Sequence, residues 1–113
     1  MGKPSRDKGK RGEREAAARW SALFGVPMRR SQQFCGGSDE SDDIVGQCGV
    51  SIEVKRRNQF NVAQAVLKTA EDAAPGHVPI VLHRGDRQPW LVSLRLDDLP
   101  ALVTRLYLTL AGQ

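Results

Sequence analysis

The sequence predicts an α/β domain of the α+β kind, with helices packed against a mixed sheet. Three observations carry this expectation. Several short stretches alternate apolar and polar residues, three windows repeat apolar residues at helical spacing, and Gly, Pro and Asn punctuate the boundaries between them. The chain of 113 residues suits one core rather than two. The expected order is α-β-β-β-α-β-β-α within a single domain, residues 11–113. Residues 1–10, with two Gly, a Pro and alternating charge, are expected to form a flexible basic N-terminal arm.

The first helix is expected from Arg11 to Phe24, ended by Gly25 and Pro27. At 100° per residue, Ala17, Trp20 and Phe24 share one stripe, flanked by Ala16 and Leu23. Glu13 falls at the centre of that stripe and Glu15 points away. A carboxylate aimed at a core needs a partner. A position near the helix start also favours an acid through the macrodipole, so both readings of Glu13 stand at this point.

VPMRRS (26–31) reads as a strand and QQFCGGSDES (32–41) as a polar loop around Gly36-Gly37. DIVG (43–46) and VSIEVKRR (50–57) read as two further strands. Asn61 is expected to cap a helix running to Ala74, with Val62, Ala63, Val66, Ala70 and Ala73 on its apolar face and Gln64, Lys68 and Asp72 away from it. HVPIVLHR (77–84) and PWLVSLRL (89–96) read as a strand pair around the turn GDRQ. Asp97 is expected to cap a last helix, with Pro100 still in its first turn.

Charge is uneven along the chain. Residues 1–31 hold nine Lys/Arg against three Asp/Glu, a local +6, within a total of +4. A basic segment on a near-neutral body suits a polyanion such as nucleic acid, or serves as a solubilising tail. The N-terminus lacks the apolar stretch of a signal peptide, and no run approaches a membrane span. Cys35 and Cys48 lack CxxC spacing and are expected as free thiols in a reducing cytoplasm. His77 and His83 have no partner at ligand spacing and are expected to be structural, as are Trp20 and Trp90.

The hairpin is the informative stretch. Val50, Ile52 and Val54 point to one face, Glu53 and Lys55 to the other. A three-residue loop Gln47-Cys48-Gly49 puts Gly at the left-handed position. That register pairs Ile44 with Ile52 and Asp43 with Glu53; a one-residue slip would mix the faces. Like charges opposite each other destabilise a strand pair, and two such carboxylates ionise together at low cost when a cation lies between them. A hard divalent ion, Mg²⁺ with Mn²⁺ as the alternative, takes carboxylate and phosphate oxygens. Lys55, on the same face, suits steering of a water or phosphate oxygen. A surface hairpin carrying a Glu/Lys pair is the plain alternative.

Asp43, Glu53 and Lys55 in DDIVGQCGVSIEVK resemble the PD-(D/E)xK nuclease signature. KGKRGERE (8–15), with Glu13 on the first helix, resembles the opening of the archaeal and phage-type Holliday junction resolvase branch, and RRS (29–31) resembles the Arg-Ser ending of that branch's first strand. The likeness covers residues 8–57, with a compatible order of elements afterwards. The family's Pro before the motif aspartate is Asp42 here, which leaves Asp42 as a spare acid near the site. The resemblance implies a restriction-endonuclease-like core and a single nuclease domain. It implies Mg²⁺ held by Asp43, Glu53 and the Val54 carbonyl, with Glu13 as a ligand or holder of a metal-bound water, and Lys55 as the residue that positions the attacking water. The implied reaction is hydrolysis of DNA phosphodiesters to a 5′-phosphate and a 3′-hydroxyl, in DNA recombination and repair, in the cytoplasm of an archaeon or of a phage's host.

The expected DNA contacts are Lys8, Lys10, Arg11, Arg14, Arg29, Arg30, Ser31, Arg56 and Arg57, which suit backbone phosphates more than base edges. Six residues in all are Phe, Trp or Tyr, too few for a single-strand stacking platform. Two symmetric cuts in a four-way junction call for a C2 homodimer. The last helix, apolar at Leu99, Leu102, Val103, Leu106, Leu108 and Leu110, is the expected interface. No membrane and no small-molecule cofactor is expected. Alternatives are a nicking or repair nuclease of the same fold acting on other duplex DNA, a non-catalytic basic DNA-binding protein, and an interaction protein whose basic segment docks an acidic partner.

Overall fold

The alternation in VSIEVKR produces the central strand, β3 (Val50–Arg56), and the other layers are arranged around it. The computed structural model describes residues 3–31 and 42–112, with side chains from residue 9 onward. A five-stranded sheet runs β1 (Arg29–Arg30), β2 (Ile44–Val45), β3, β4 (Val78–Arg84), β5 (Leu91–Ser93), in that spatial order. β3 and β4 are parallel, and the other neighbours are antiparallel. The helices are α1 (Lys3–Phe24), α2 (Val62–Asp72) and α3 (Leu99–Ala111). α2 is the crossover that a parallel β3–β4 pair requires. The result is the α+β mixed sheet that the sequence predicts.

The predicted pairing of Ile44 with Ile52 is the observed one. The turn explains why. Gly49 adopts φ +75°, and Val50 N–H reaches back to the Gln47 carbonyl at 3.4 Å. Ile44, Val50, Ile52, Val54, Val78, Ile80 and Leu82 then pack with Ala16, Ala17 and Trp20 of α1 and Leu102 of α3. Each fully buried aliphatic side chain contributes about 1.5–3 kcal/mol. α2 covers part of the opposite face, where Ser51, Val81 and His83 are buried as well. The polar face of the hairpin is therefore half-enclosed rather than solvated.

β1 and β5 are shorter than the expected strands 26–31 and 89–96, and all three helices differ from expectation. α1 begins at Lys3, within the segment expected as a flexible arm, because Lys, Arg and Glu are good helix formers. Gly12, which costs helix propensity, lets α1 approach β3: a Cβ there would sit 2.6 Å from Arg56 Cβ. α2 buries Thr69, which donates to the Ala65 carbonyl at 2.8 Å, while Val62 and Ala63 are exposed. The inward side of α2 is partly polar because the face it covers is partly polar. The expected Asp97 cap is replaced by a 3-10 turn over Leu96–Asp98 leading into α3, with Asp98 at the cap position; Arg95 Nε takes the Asp98 carboxylate at 2.6 Å, so it caps no backbone amide. Asn61 does cap α2, accepting from Gln64 N–H at 2.9 Å. Among the described residues no helix is long and apolar enough to cross a membrane.

Candidate active site

The pairing of β2 with β3 ends at Ile44 and Ile52, and the site begins at the next step. Asp43 N–H donates to the Ile52 carbonyl at 2.8 Å, and the Asp43 carbonyl accepts from Ser31 N–H at 2.9 Å. This fixes the Asp43 backbone between the end of β1 and the body of β3. Its carboxylate then takes the place of a missing backbone acceptor: Oδ2 accepts from Val54 N–H at 2.8 Å. In a strand the N–H and C=O of one residue point to the same side, so the Val54 carbonyl also points toward Asp43.

The Asp43 N–H meets the Ile52 carbonyl rather than that of Glu53, so the backbone slips by one residue here, and the Glu53 carboxyl lies within hydrogen-bonding reach of the Asp43 carboxyl. Two parallel neighbours on β4 set its surroundings: Val81 lies beside Glu53 and His83 beside Lys55. Lys55 Nζ is 3.6 Å from Glu53 Oε1, with both side chains about three-quarters covered. Burial, then the Glu53 charge, pushes the Asp43 carboxyl up to about 7, against a lowering pull from the Val54 amide. Glu53 is also raised, first by burial, with Lys55 opposing the shift. A cation bound beside both carboxylates would offset the cost of ionising them together.

Glu13 reaches this region from α1. Its charge adds to the repulsion on both Asp43 and Glu53. Its carboxylate is held by Arg30 of β1, Nε to Oε1 at 2.8 Å. Sequence reasoning singled out Glu13 as needing a partner and Arg30 as a phosphate contact. The ion pair between them depends on how α1 lies across β1, for which the sequence carries no local signal.

The structure thus brings Glu13, Asp43, Glu53, Val54 and Lys55 together, with Arg30 beside them. Among the described residues, no group of three or more His, Cys, Asp or Glu side chains is drawn close enough to hold a metal ion by itself. Two carboxylates and a carbonyl remain as a donor set, which fits Mg²⁺, an ion that keeps several waters and is completed by substrate oxygens. Ser31, buried beside Asp43, has a hydroxyl without a hydrogen-bond partner among the described residues.

The basic residues divide. Lys10, Arg11, Arg14, Arg29 and Arg57 are exposed. Arg56 is turned away and committed to Asp86 at 2.9 Å. The Lys8 side chain and the Gly36-Gly37 loop, with Cys35, lie outside the described residues, while Asp42 is half-buried. Cys48 is a free, exposed thiol. His83 bonds Ser93 Oγ at 2.8 Å and His77 pairs with Ser51 Oγ at 3.2 Å, so both serve the fold. Sequence reading missed the α2 wall of the site, although it did set Gln64 and Lys68 off the apolar face. No known protein family, curated protein or solved structure was found to match this chain.

Proposed function

We propose that this protein is a Mg²⁺-dependent endodeoxyribonuclease selective for four-way junctions. One observation carries the reading: two neighbouring, half-buried carboxyls, both pushed up by burial, with a lysine beside Glu53 on the same face of the same strand. The motif order, with Glu13 arriving from α1, supports the branch that resolves junctions. Asp43, Glu53 and the Val54 carbonyl would hold the ion, which when bound polarises the phosphate and lowers the pKa of water. Mn²⁺ is the expected substitute.

The chain's own residues have three tasks. Asp43 and Glu53 would meet the ion as carboxylates, Asp43 giving up the proton that its burial favours. Lys55 places its ammonium beside the attacking water and offsets charge developing on the phosphate oxygens. Arg30, released or shared when Glu13 turns inward, meets a phosphate of the backbone. In the overall hydrolysis a water oxygen bonds to phosphorus, the bond from phosphorus to the 3′ oxygen breaks, and the water's protons end on the two products, a 5′-phosphate and a 3′-hydroxyl.

Paired cuts need two sites, so we infer a C2 homodimer. Leu99, Val103, Tyr107 and Leu110 of α3 are each at least two-fifths exposed, as are Leu91 and Val92 on the edge strand β5. An apolar groove of about 700 Å³ between α1, β4–β5 and α3 adjoins them through Leu106. Contiguous exposed apolar surface of this kind marks an interface.

The test is cleavage of a labelled synthetic junction beside a linear duplex of the same sequence, with Mg²⁺ or EDTA. Symmetric, Mg²⁺-dependent cuts in the junction alone are expected. Equal cutting of the duplex would retain the nuclease and discard junction selectivity. The non-catalytic alternative draws on the absence of a three-ligand cluster among the described residues, and tight DNA binding with no cutting in either metal would establish it.

A further inference from the structure

A polar cleft of about 310 Å³ separates β3 from α2, on the sheet face that carries Glu53 and Lys55. Those two side chains form part of its lining, and Gln64 and Lys68 of α2 contribute from across it, with Arg57 and Phe60 from the connecting segment. Gln64 and Lys68 are four residues apart and so stand one above the other on a single helical face. This size falls at the small end of ligand clefts, about 300–1,000 Å³.

The chemistry of the lining is mixed in a particular way. Lys68 is a mobile point charge and Arg57 a planar fork; both suit phosphate oxygens. Gln64 offers a carbonyl and an amide, which suit a sugar hydroxyl, a ring oxygen or a base edge. Phe60 adds an apolar wall. Asp72 also lines the cleft and pairs with Lys68 at 3.2 Å, but both are well exposed, so that pair is weak and readily exchanged. An anionic group therefore competes for Lys68 on favourable terms.

We propose that this cleft holds the nucleotide adjoining the phosphate that is cut, with Lys68 and Arg57 on its flanking phosphate and Gln64 on its sugar or base edge. The inference rests on the nuclease reading and adds a direction to it: the strand enters along the α2 side of the sheet. The N-terminal helix, where the sequence concentrates positive charge, then serves the more distant backbone.

The test uses the full chain and a fluorescein-labelled four-way junction. Affinity is read by anisotropy in EDTA across a salt series, and cutting is read in Mg²⁺. Gln64→Ala and Lys68→Ala are each expected to weaken binding about tenfold, and Lys68→Ala to lower the slope of log affinity against log salt by about one. Glu71→Ala, exposed on the same helix outside the cleft, is expected to leave both readings unchanged. Gln64→Glu, which preserves shape, is expected to weaken binding more than Gln64→Ala. Wild-type affinity, salt slope and cutting in Gln64→Ala and Lys68→Ala together would overturn the cleft while leaving the nuclease standing. Failure of the wild-type protein to cut any DNA, with binding still weakened by both substitutions, would overturn the nuclease and retain the cleft as a strand-binding site.

Discussion

The two ends of the β2–β3 hairpin both bury polar side chains, and they do so in opposite ways. At the turn, Gln47 accepts from Trp20 Nε1 at 2.9 Å and donates to Thr109 Oγ1 at 2.7 Å. The three side chains in this chain of hydrogen bonds are neutral, and the amide is used on both sides. It ties α1 and α3 to the turn. At the open end, Asp43 and Glu53 are half-buried acids, and the Glu53 charge helps to raise the Asp43 carboxyl. Satisfied neutral burial contributes to stability, whereas opposed charge detracts from it. The contrast separates what this hairpin does for the fold from what it does for a ligand.

The largest effect should fall at the open end and on activity alone. Asp43→Asn or Glu53→Gln is expected to reduce junction cleavage at least about a thousandfold, a scale typical of losing essential charge at a reacting centre. The same substitutions should raise the thermal midpoint of the metal-free protein at pH 8, because they remove a repulsion. A fall in the midpoint would mean that the acid pair is structural, and would erase the contrast.

At the turn, Gln47→Ala strands the Trp20 indole N–H and the Thr109 hydroxyl. A cost of about 2–4 kcal/mol is expected from the lost partners, or a drop of roughly 10 °C or more in the midpoint. Cleavage by the folded fraction at low temperature should be unchanged. A smaller effect is expected from Gly12→Ala, where overpacking of about 1–3 kcal/mol is partly offset by better helix propensity of about 1 kcal/mol. Thermal melts measure the net loss, and cleavage should fall further than stability, because the clash with Arg56 lies on the strand that carries Lys55.

The smallest and sharpest test is pH. The folded Asp43 carboxyl titrates near 7, well above its unfolded value. Between about pH 4 and 7 the folded state then binds more protons than the unfolded state, so metal-free stability is greatest at the acid end and declines as pH rises through about 7. Saturating Mg²⁺ should cancel that decline. Denaturant titrations at pH 5 and 8, with and without the ion, measure both. Arg30→Met should steepen the decline, since Glu13 would then add an unpaired charge.

How much of this was legible in the sequence follows from the range over which each signal acts. The hairpin register was readable because alternation in VSIEV and the glycine of Gln47-Cys48-Gly49 act locally and agree. Asp43 and Glu53 were singled out on that register, although the Asp43 N–H bonds the Ile52 carbonyl instead of that of Glu53. The start of α1 was obscured by Gly9 and Gly12, and Gly12 makes sense only beside Arg56, which is distant in the chain. The buried side of α2 was misplaced because a helix covering a polar sheet face need not turn its most apolar residues inward. The Arg30–Glu13 pair and the commitment of Arg56 to Asp86 are tertiary, and charge alone assigned these arginines to DNA.

The Val54 amide has a consequence of its own. Its hydrogen is held by a carboxylate instead of a ladder carbonyl. A central strand of this kind exchanges its amides with solvent slowly, through larger openings of the sheet. Val54 departs from that rule, because its protection depends on whether the Asp43 side chain stays in place, and a short excursion of that one group exposes it. Hydrogen–deuterium exchange at this single amide therefore gives the chain a built-in gauge: its rate, compared with those of Ile52 and Arg56, would register each rearrangement of the acidic pair without a label.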